Sequence, residues 1–225
     1  MSYTKRLIRM LYGSLIFSLG NTLVIGSGIG YGPWDLFHGA LADRVGLSIG
    51  TVAVLVGIVV ILLNFAVREA VGLSTIISTL LVGKSIDWWL FILPEFDFPF
   101  YLLRLLYMLF GLFVSAVGAF FYISAGLGTG PRDGIMVAIR RHLKLPIGVS
   151  RFALEMTVAL IGWALGGHFG LGTLIYAAGL GTAIQAVFML FRFEATAIKH
   201  DTLLDSWRYF RAWCARRKEK AGEPK

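Results

Sequence analysis

Two short glycine-rich stretches contain the residues of this sequence that are best placed to do chemistry. GLGTGPRDG runs from Gly126 to Gly134, and GIGYGPWDL runs from Gly28 to Leu36. Proline suits the first turn of a helix, where its missing N–H costs nothing, and an aspartate two residues later can accept hydrogen bonds from the free N–H groups there. Both stretches therefore predict the start of a short helix whose positive end is available to an anionic group.

Arg151 and Glu155 form a candidate charged pair within an apolar segment. They stand four residues apart, so they share one face of a helix and can pair. Ionisable groups in such a segment are costly and usually mark a pathway or a specific partner. The pair could belong to a binding site. The alternative is a structural ion pair with a neighbouring helix, for which Arg132 and Asp133 are the candidate partners.

Lys84 and Asp87 form a second candidate pair, three residues apart in another apolar segment. They could neutralise each other, carry a proton or bind an anion. Asn64 could take part in gating or simply form a hydrogen bond across helices. The sequence thus assigns coupling or gating to Lys84, Asp87 and Asn64. It assigns substrate binding to Gly30, Gly32, Pro33, Asp35, Gly128, Thr129, Gly130, Pro131, Arg132, Asp133, Arg151 and Glu155.

The composition indicates that a membrane surrounds these residues. Of 225 residues, 57% are hydrophobic and 15% are charged, with a mean hydropathy of +0.75. The net charge of +8 lies in clusters that flank apolar runs, so membrane orientation explains it better than nucleic-acid binding. The single cysteine, Cys214, excludes an intramolecular disulfide and a cysteine-based metal cluster. Without a catalytic or nucleotide-binding motif, we expect no enzyme, no cofactor and no metal.

The sequence contains an internal duplication. Asp35 and Asp133 are 98 positions apart, and glycines such as Gly13 and Gly111 recur at the same offset along most of the chain. Each copy has one segment too short to cross a bilayer and three apolar runs of spanning length, near 7–29, 47–67 and 71–93 and near 101–127, 145–166 and 169–191. We predict an all-α polytopic membrane protein with about six transmembrane helices. The predicted domains are a first membrane repeat at residues 1–97, a second membrane repeat at residues 98–193 and a basic amphipathic tail in the cytoplasm at residues 194–225.

The orientation of the two copies follows from the number of spans. Three is an odd number, so the second copy should enter the membrane from the opposite side. Lys and Arg concentrate before the first span, in the segment 132–144 and in the tail, which places both termini in the cytoplasm. The sequence therefore predicts two inverted three-span repeats, each with a short broken or re-entrant helix. This arrangement is typical of secondary transporters.

Three strings carry a resemblance to a known group of proteins: GLGTGPRDG, RFALE from Arg151 and GLGT from Gly170. Up to residue 191, the chain resembles the YczE/YitT group of bacterial integral membrane proteins. The resemblance implies a multi-pass protein of the bacterial plasma membrane and implies little about activity. The first copy departs from the pattern at Tyr31 and Trp34, where the second copy has threonine and arginine.

The tail is basic and amphipathic. Leu203, Trp207, Phe210 and Cys214 recur at helical spacing, and arginines supply the other side. This pattern is typical of a helix that lies on the anionic lipid of the inner leaflet. Docking of a protein partner is the alternative.

Two functional hypotheses follow from the sequence. The first is a small secondary transporter or exporter that works by alternating access between the repeats, either alone or as a homodimer. Two arginines and two helix N-termini would suit a small anionic or carboxylate-bearing solute. The second is a non-transporting membrane scaffold that binds a partner through the basic tail.

Overall fold

The computed structural model describes residues 3–67, 69, 71–93, 99–128, 130–144, 146–193 and 200–211. Within these residues the chain is helical and contains no strand, which confirms the predicted all-α class. Eight helices follow one another: α1 Tyr3–Gly26, α2 Pro33–Val45, α3 Ile49–Ala66, α4 Leu73–Ile92, α5 Tyr101–Ser124, α6 Pro131–Leu143, α7 Ile147–Ala164 and α8 Leu171–Leu190. A further helical segment, α9, covers 203–211.

The helix boundaries repeat along the chain. Each of α1 to α4 has a counterpart of the same length among α5 to α8, and each counterpart begins 98 residues later, as Tyr3 and Tyr101 illustrate. Helix boundaries depend on local signals, such as proline at the first turn and glycine after the last, so duplicated sequence reproduces them. The internal duplication therefore extends to the secondary structure.

Five of the described helices are long and apolar enough to cross a bilayer: α1, α3, α4, α5 and α8. Helix α7 has the same length as α3, 18 residues, and carries Arg151 and Glu155 in its first half. Helices α2 and α6 have 13 residues each. That is about 20 Å of helix, whereas a bilayer core is about 30 Å thick. The chain is a multi-pass membrane protein, and five of the roughly six predicted spans correspond to helices that could cross a membrane by their length and composition.

Helices α1 and α5 form the most extensive helix pair of the described chain. A Cβ on Gly13 would lie 2.9 Å from the carbonyl oxygen of Gly118, and a Cβ on Gly20 would lie 2.7 Å from that of Gly111. Small residues allow two helix backbones to approach this closely in a membrane. Because the earlier glycine of α1 meets the later glycine of α5, the two helices run antiparallel.

A buried polar cluster ties this helix pair to α8. The side-chain oxygen of Asn21 accepts hydrogen bonds from Ser115 Oγ at 3.0 Å and from Tyr176 OH at 2.7 Å. All three side chains are buried. Breaking either bond would leave a polar group without its partner in an apolar interior, so the cluster fixes three helices relative to one another.

Candidate functional site

A cavity of about 110 Å³ lies between helices of both halves. Apolar side chains of α3, α4, α5 and α8 form much of its wall, as is usual for a small-molecule site with a few polar groups that fix orientation. Its charged lining residues are Arg132, Asp133, Arg151 and Glu155, with Trp34 and His38 beside them.

The first turn of α6 reaches the cavity because its own aspartate and α3 hold it there. Gly130 N donates a hydrogen bond to Asp133 Oδ2 at 3.2 Å, so Asp133 caps the helix. Asn64 Nδ2 donates to the carbonyl of Pro131 at 2.7 Å. A Cβ on Gly134 would lie 2.8 Å from Asn64 Cγ, so this approach of α6 to α3 requires glycine. Asn64, a residue predicted to act in gating, thus positions the start of α6.

Helix α2 lies against α7 in the corresponding way. Gly162 of α7 is the equivalent of Asn64, and a Cβ on Gly162 would lie 2.8 Å from Phe37 Cα. Arg44 Nε donates to the carbonyl of Leu165 at 3.1 Å, which fixes the other end of α2. Each short helix is therefore anchored on an 18-residue helix of the opposite half.

Gly30 and Gly128 lie at the breaks before the two short helices. Their φ angles are +126° and +131°, which L side chains rarely adopt. The carbonyl before each glycine accepts a hydrogen bond from a helix of the opposite half, at 2.9 Å from Gly172 N and at 3.0 Å from Ser74 N. These two predicted site residues thus form junctions with α8 and α4, and neither lines the cavity.

The two glycine-rich stretches meet at the cavity through Trp34 and Arg132. Arg132 Cζ lies 4.6 Å from the centroid of the Trp34 ring, a distance typical of a cation–π interaction. The two residues occupy equivalent positions of the duplication, so the copies touch at a position where they differ. Trp34 is buried, and its Nε1 has no hydrogen-bond partner among the described residues. The sequence shows the difference between the copies but gives no sign of this contact.

Asp35 and His38 form a buried pair on α2. Each is 2% exposed, and His38 Nδ1 lies 3.9 Å from Asp35 Oδ1. His38 lines the cavity, whereas Asp35, Gly32 and Pro33 do not. His38 is not among the site residues predicted from the sequence, although its spacing of three residues from Asp35 places both on one helix face.

Arg151 and Glu155 both line the cavity from α7. Within the described part of the chain no ion pair joins them or connects either of them to Arg132 or Asp133. Glu155 is buried, and its Oε2 has no hydrogen-bond partner among the described residues. Among the described residues, the structure therefore shows neither an ion pair within α7 nor one between α7 and the start of α6. Thr129, a further predicted site residue, lies outside the described residues.

Lys84 and Asp87 make contacts away from the cavity. Asp87 accepts hydrogen bonds from Ser48 Oγ at 2.6 Å and from Gly50 N at 2.8 Å, so it caps the start of α3. Lys84 Nζ donates to Thr51 Oγ1 at 3.2 Å. These contacts join α4 to α3, and neither Lys84 nor Asp87 lines the cavity.

The groups that line the cavity are suited to binding. Guanidinium groups can hold an anionic group through paired hydrogen bonds, and carboxylates can hold a cationic one. In the ranges that the structure describes, no group of three or more His, Cys, Asp or Glu side chains is arranged to hold a metal ion.

The segment after α8 docks on the break between α5 and α6. Arg6 donates hydrogen bonds to the carbonyls of Ala125 and Gly126 at 2.7 and 2.6 Å, and it pairs with Asp201 at 2.8 Å. Asp201 N donates to the same Gly126 carbonyl at 2.9 Å. His200 lies beside this contact, and burial lowers the pKa of its imidazole, against a smaller opposite influence of the Asp133 carboxylate.

Helix α9 continues this docked segment. Tyr209 stacks on Tyr3 with a centroid distance of 4.4 Å. Trp207 and Phe210 are more than half exposed, and Arg211 Cζ lies 4.7 Å from the Trp207 ring. The described part of the tail is thus a helix with exposed aromatic and basic side chains. Cys214 and the basic residues after it lie outside the described residues.

Comparison with known proteins identifies the family. Residues 4–189 match the family described as "Family of unknown function (DUF6198)". An "Uncharacterized protein" of Haemophilus influenzae is 31% identical over 80% of this chain and 82% of its own length. The "Uncharacterized membrane protein YczE" of Bacillus subtilis is 30% identical over 77% of this chain and 80% of its own. The "Uncharacterized protein YyaS" of the same organism is 32% identical over 79% and 89%.

No solved structure matches the chain. The similarity to YczE confirms the resemblance that the glycine-rich strings indicate. The family match covers both copies of the duplication from α1 to α8, so the chain belongs to the DUF6198 family.

Proposed function

We propose that this protein is a small secondary transporter that works by alternating access. In this proposal α7 is the sixth span, and the two halves are inverted repeats in a bacterial plasma membrane. Both termini lie in the cytoplasm, where the basic clusters of the tail face anionic lipid. The cavity between the halves is the solute site.

The antiparallel, reciprocal packing of the two halves is the observation that carries the proposal. Helices α1 and α5 are copies of one segment, yet they run antiparallel, and each short helix is anchored on a span of the other half. In inverted repeats the solute site lies where the broken helices meet. Here that place is the contact between Trp34 and Arg132, in the wall of the cavity.

Unequal packing of equivalent contacts supports alternating access in particular. In the first half, a Cβ on Gly83 would lie 2.6 Å from the carbonyl oxygen of Gly50, so α3 and α4 cross closely. In the second half, a Cβ on the equivalent Gly181 would meet no atom of the described residues nearer than Arg151 Cδ and Nε, at 4.0 Å. If the two inverted repeats exchange these packings, so that the tight pair becomes loose and the loose pair becomes tight, the site opens to one face of the membrane and then to the other.

The charged lining supports a solute that carries an anionic group. Arg132 and Arg151 both line the cavity, and neither forms an ion pair with another described residue. Guanidinium groups bind carboxylates in a two-point geometry.

Sided thiol labelling tests alternating access without knowledge of the solute. With Cys214 replaced, Ala53→Cys places a thiol in the cavity wall of α3, and Leu55→Cys places one on the exposed face of the same helix. We expect a membrane-impermeant reagent to modify Ala53→Cys in both right-side-out and inside-out vesicles, and Leu55→Cys in neither. Modification of Ala53→Cys from one face only would overturn the proposal.

The inverted topology has its own test. Val45 and Leu143 are equivalent positions at the ends of α2 and α6, and they are 52% and 63% exposed. The equivalent positions directly after Asp35 and Asp133 are less suitable for labelling, because Leu36 is fully buried and Gly134 has no room for a side chain. Single cysteines at positions 45 and 143 should be labelled from opposite faces. Labelling from the same face would contradict inverted repeats.

A membrane scaffold is the second candidate function, and α9 favours it. Its exposed Trp207 and Phe210, beside Arg208 and Arg211, could bind a partner protein. Removing residues 203–225 should then have the same effect on the cell as deleting the whole gene. If the protein is a transporter, the same truncated form should keep its solute flux. If the truncation acts on the cell like deletion of the gene while flux is unchanged, the function in the cell depends on α9 and not on transport alone.

A further inference from the structure

We infer that the solute is a zwitterion: a small aliphatic molecule with an ammonium group and a carboxylate group close together. The inference deepens the proposed function and rests on it for biological meaning. Binding itself does not require transport, so the two can be tested apart.

The charges that line the cavity are balanced. Arg132 and Arg151 contribute two positive charges, and Asp133 and Glu155 contribute two negative charges. The rest of the wall is largely apolar, where an uncompensated charge is expensive. A simple anion would leave one excess negative charge, and a simple cation one excess positive charge. A zwitterion leaves the balance unchanged.

Glu155 is the group that a simple anion would leave without a partner. It is 8% exposed, it lines the cavity, and its Oε2 has no hydrogen-bond partner among the described residues. Buried polar groups are normally hydrogen-bonded, so a lone carboxylate oxygen in a cavity wall indicates a donor that the ligand supplies. An ammonium group brings three N–H donors and the opposite charge.

Asp133 is less available than Glu155 for that role. Its Oδ2 already accepts the hydrogen bond from Gly130 N at 3.2 Å and caps α6. The cation-binding end of the site therefore lies on α7, at Glu155.

Arg132 and Arg151 supply the end that binds the carboxylate. Arg132 Cζ lies 4.6 Å from the centroid of the Trp34 ring, and no ion pair with another described residue occupies its N–H groups. Arg151 lies one helical turn before Glu155 on α7, so groups of opposite charge are close together in the wall. This short separation fits an amino acid. Val56, Val60, Leu154 and Ile184 offer an apolar surface for an aliphatic side chain.

Three probes that share the isobutyl group of leucine test the inference. L-Leucine carries both charges, isocaproate lacks the amino group, and isoamylamine lacks the carboxylate. Each is titrated by calorimetry into the full-length protein in lipid nanodiscs. We expect leucine to bind at least about tenfold more tightly than either single-charge probe.

Two variants assign the two ends of the zwitterion. Glu155→Gln should weaken the binding of leucine and isoamylamine by about tenfold or more, and it should leave isocaproate bound at least as tightly because it removes the excess negative charge. Arg151→Gln should weaken leucine and isocaproate and spare isoamylamine. Asp43→Asn and Arg140→Gln, which change exposed charges outside the cavity, are the matched controls and should bind all three probes normally.

Several outcomes would overturn the zwitterion. Isocaproate could bind as tightly as leucine, or both variants could lose all three probes while melting like the parent protein. A cooperatively melting protein that binds none of leucine, valine, alanine and glycine would do the same. Zwitterion binding without flux in proteoliposomes would instead remove the transporter proposal alone. Flux of another class of solute without zwitterion binding would keep the transporter and remove this inference.

Discussion

A single methyl group added where α1 crosses α5 should destabilise the whole membrane domain. In Gly20→Ala the new Cβ would lie 2.7 Å from the carbonyl oxygen of Gly111, whereas ordinary contacts begin at 3.4 Å. The backbone nitrogen of Ser115 would be closer still, so the helices would have to separate by more than about 0.7 Å, and overpacking of this kind costs about 1–3 kcal/mol. The methyl would also meet Ser115 Oγ, whose buried hydrogen bond to Asn21 contributes about 1 kcal/mol.

The helix propensity of alanine opposes this loss. Alanine is favoured over glycine inside a helix by roughly 0.5–1 kcal/mol. The net free energy of unfolding should therefore fall by about 1–3 kcal/mol. For a chain of this length the midpoint of thermal unfolding should fall by about 2–12 °C.

The assay is thermal unfolding of the purified protein in detergent, followed by circular dichroism. Gly26→Ala is the matched control on the same helix, because its Cβ would meet nothing closer than Tyr107 Cε1 at 3.7 Å. We expect the control to melt at or above the parent midpoint. If Gly20→Ala melts together with Gly26→Ala, the close crossing of the two helices is not a source of stability, and the reasoning fails.

Three further predictions concern the caps and the docked tail. Asp87→Asn should lower the free energy of unfolding by about 1–2 kcal/mol, since it weakens the cap of α3, and should leave probe binding unchanged; a selective loss of binding in calorimetry would return Asp87 to the coupling role. Asp201→Asn removes a partly exposed ion pair with Arg6, so limited proteolysis should cut the segment 200–211 up to about fivefold faster, and equal rates would contradict the docking. Burial lowers the pKa of His200 below the ordinary value of 6.5, so the unfolded segment binds more protons than the docked one near that pH. Docking should therefore be strongest above pH 6.5 and weaken as the pH falls through the lowered value; equal proteolysis rates across this range would refute the assignment.

Local signals explain why the helix boundaries are close to those predicted from the sequence. Helices α2 and α6 begin at Pro33 and Pro131, the residues that mark them in the sequence. Glycine explains why two helices end before the predicted runs do. The first and fourth apolar runs extend to residues 29 and 127, but α1 and α5 end three residues earlier because Gly28 and Gly126 adopt φ angles of +68° and +67°.

Contacts between distant residues explain what the sequence does not reveal about the site. The spacing of Arg151 and Glu155 predicts a shared face, and both do line the cavity. It also suggests that they pair, and no such pair forms within the described chain. Similarly, Asp87 binds Ser48 rather than the nearby Lys84. Helix periodicity describes a single helix, whereas the partner of each charged side chain depends on which other helix packs against it.

The contact between Trp34 and Arg132 sets a limit on how symmetric this protein can be. If both copies carried arginine, two guanidinium groups would face each other at about the same 4.6 Å, with a repulsion of about 3–4 kcal/mol at an effective dielectric constant of 20. If both carried tryptophan, one of the two arginines that line the cavity would be lost. A half-length protein that assembled with itself would bring identical residues to this position. Joining the copies in one chain allows each side to keep its own residue, so a version with two identical halves should assemble less stably than the natural chain.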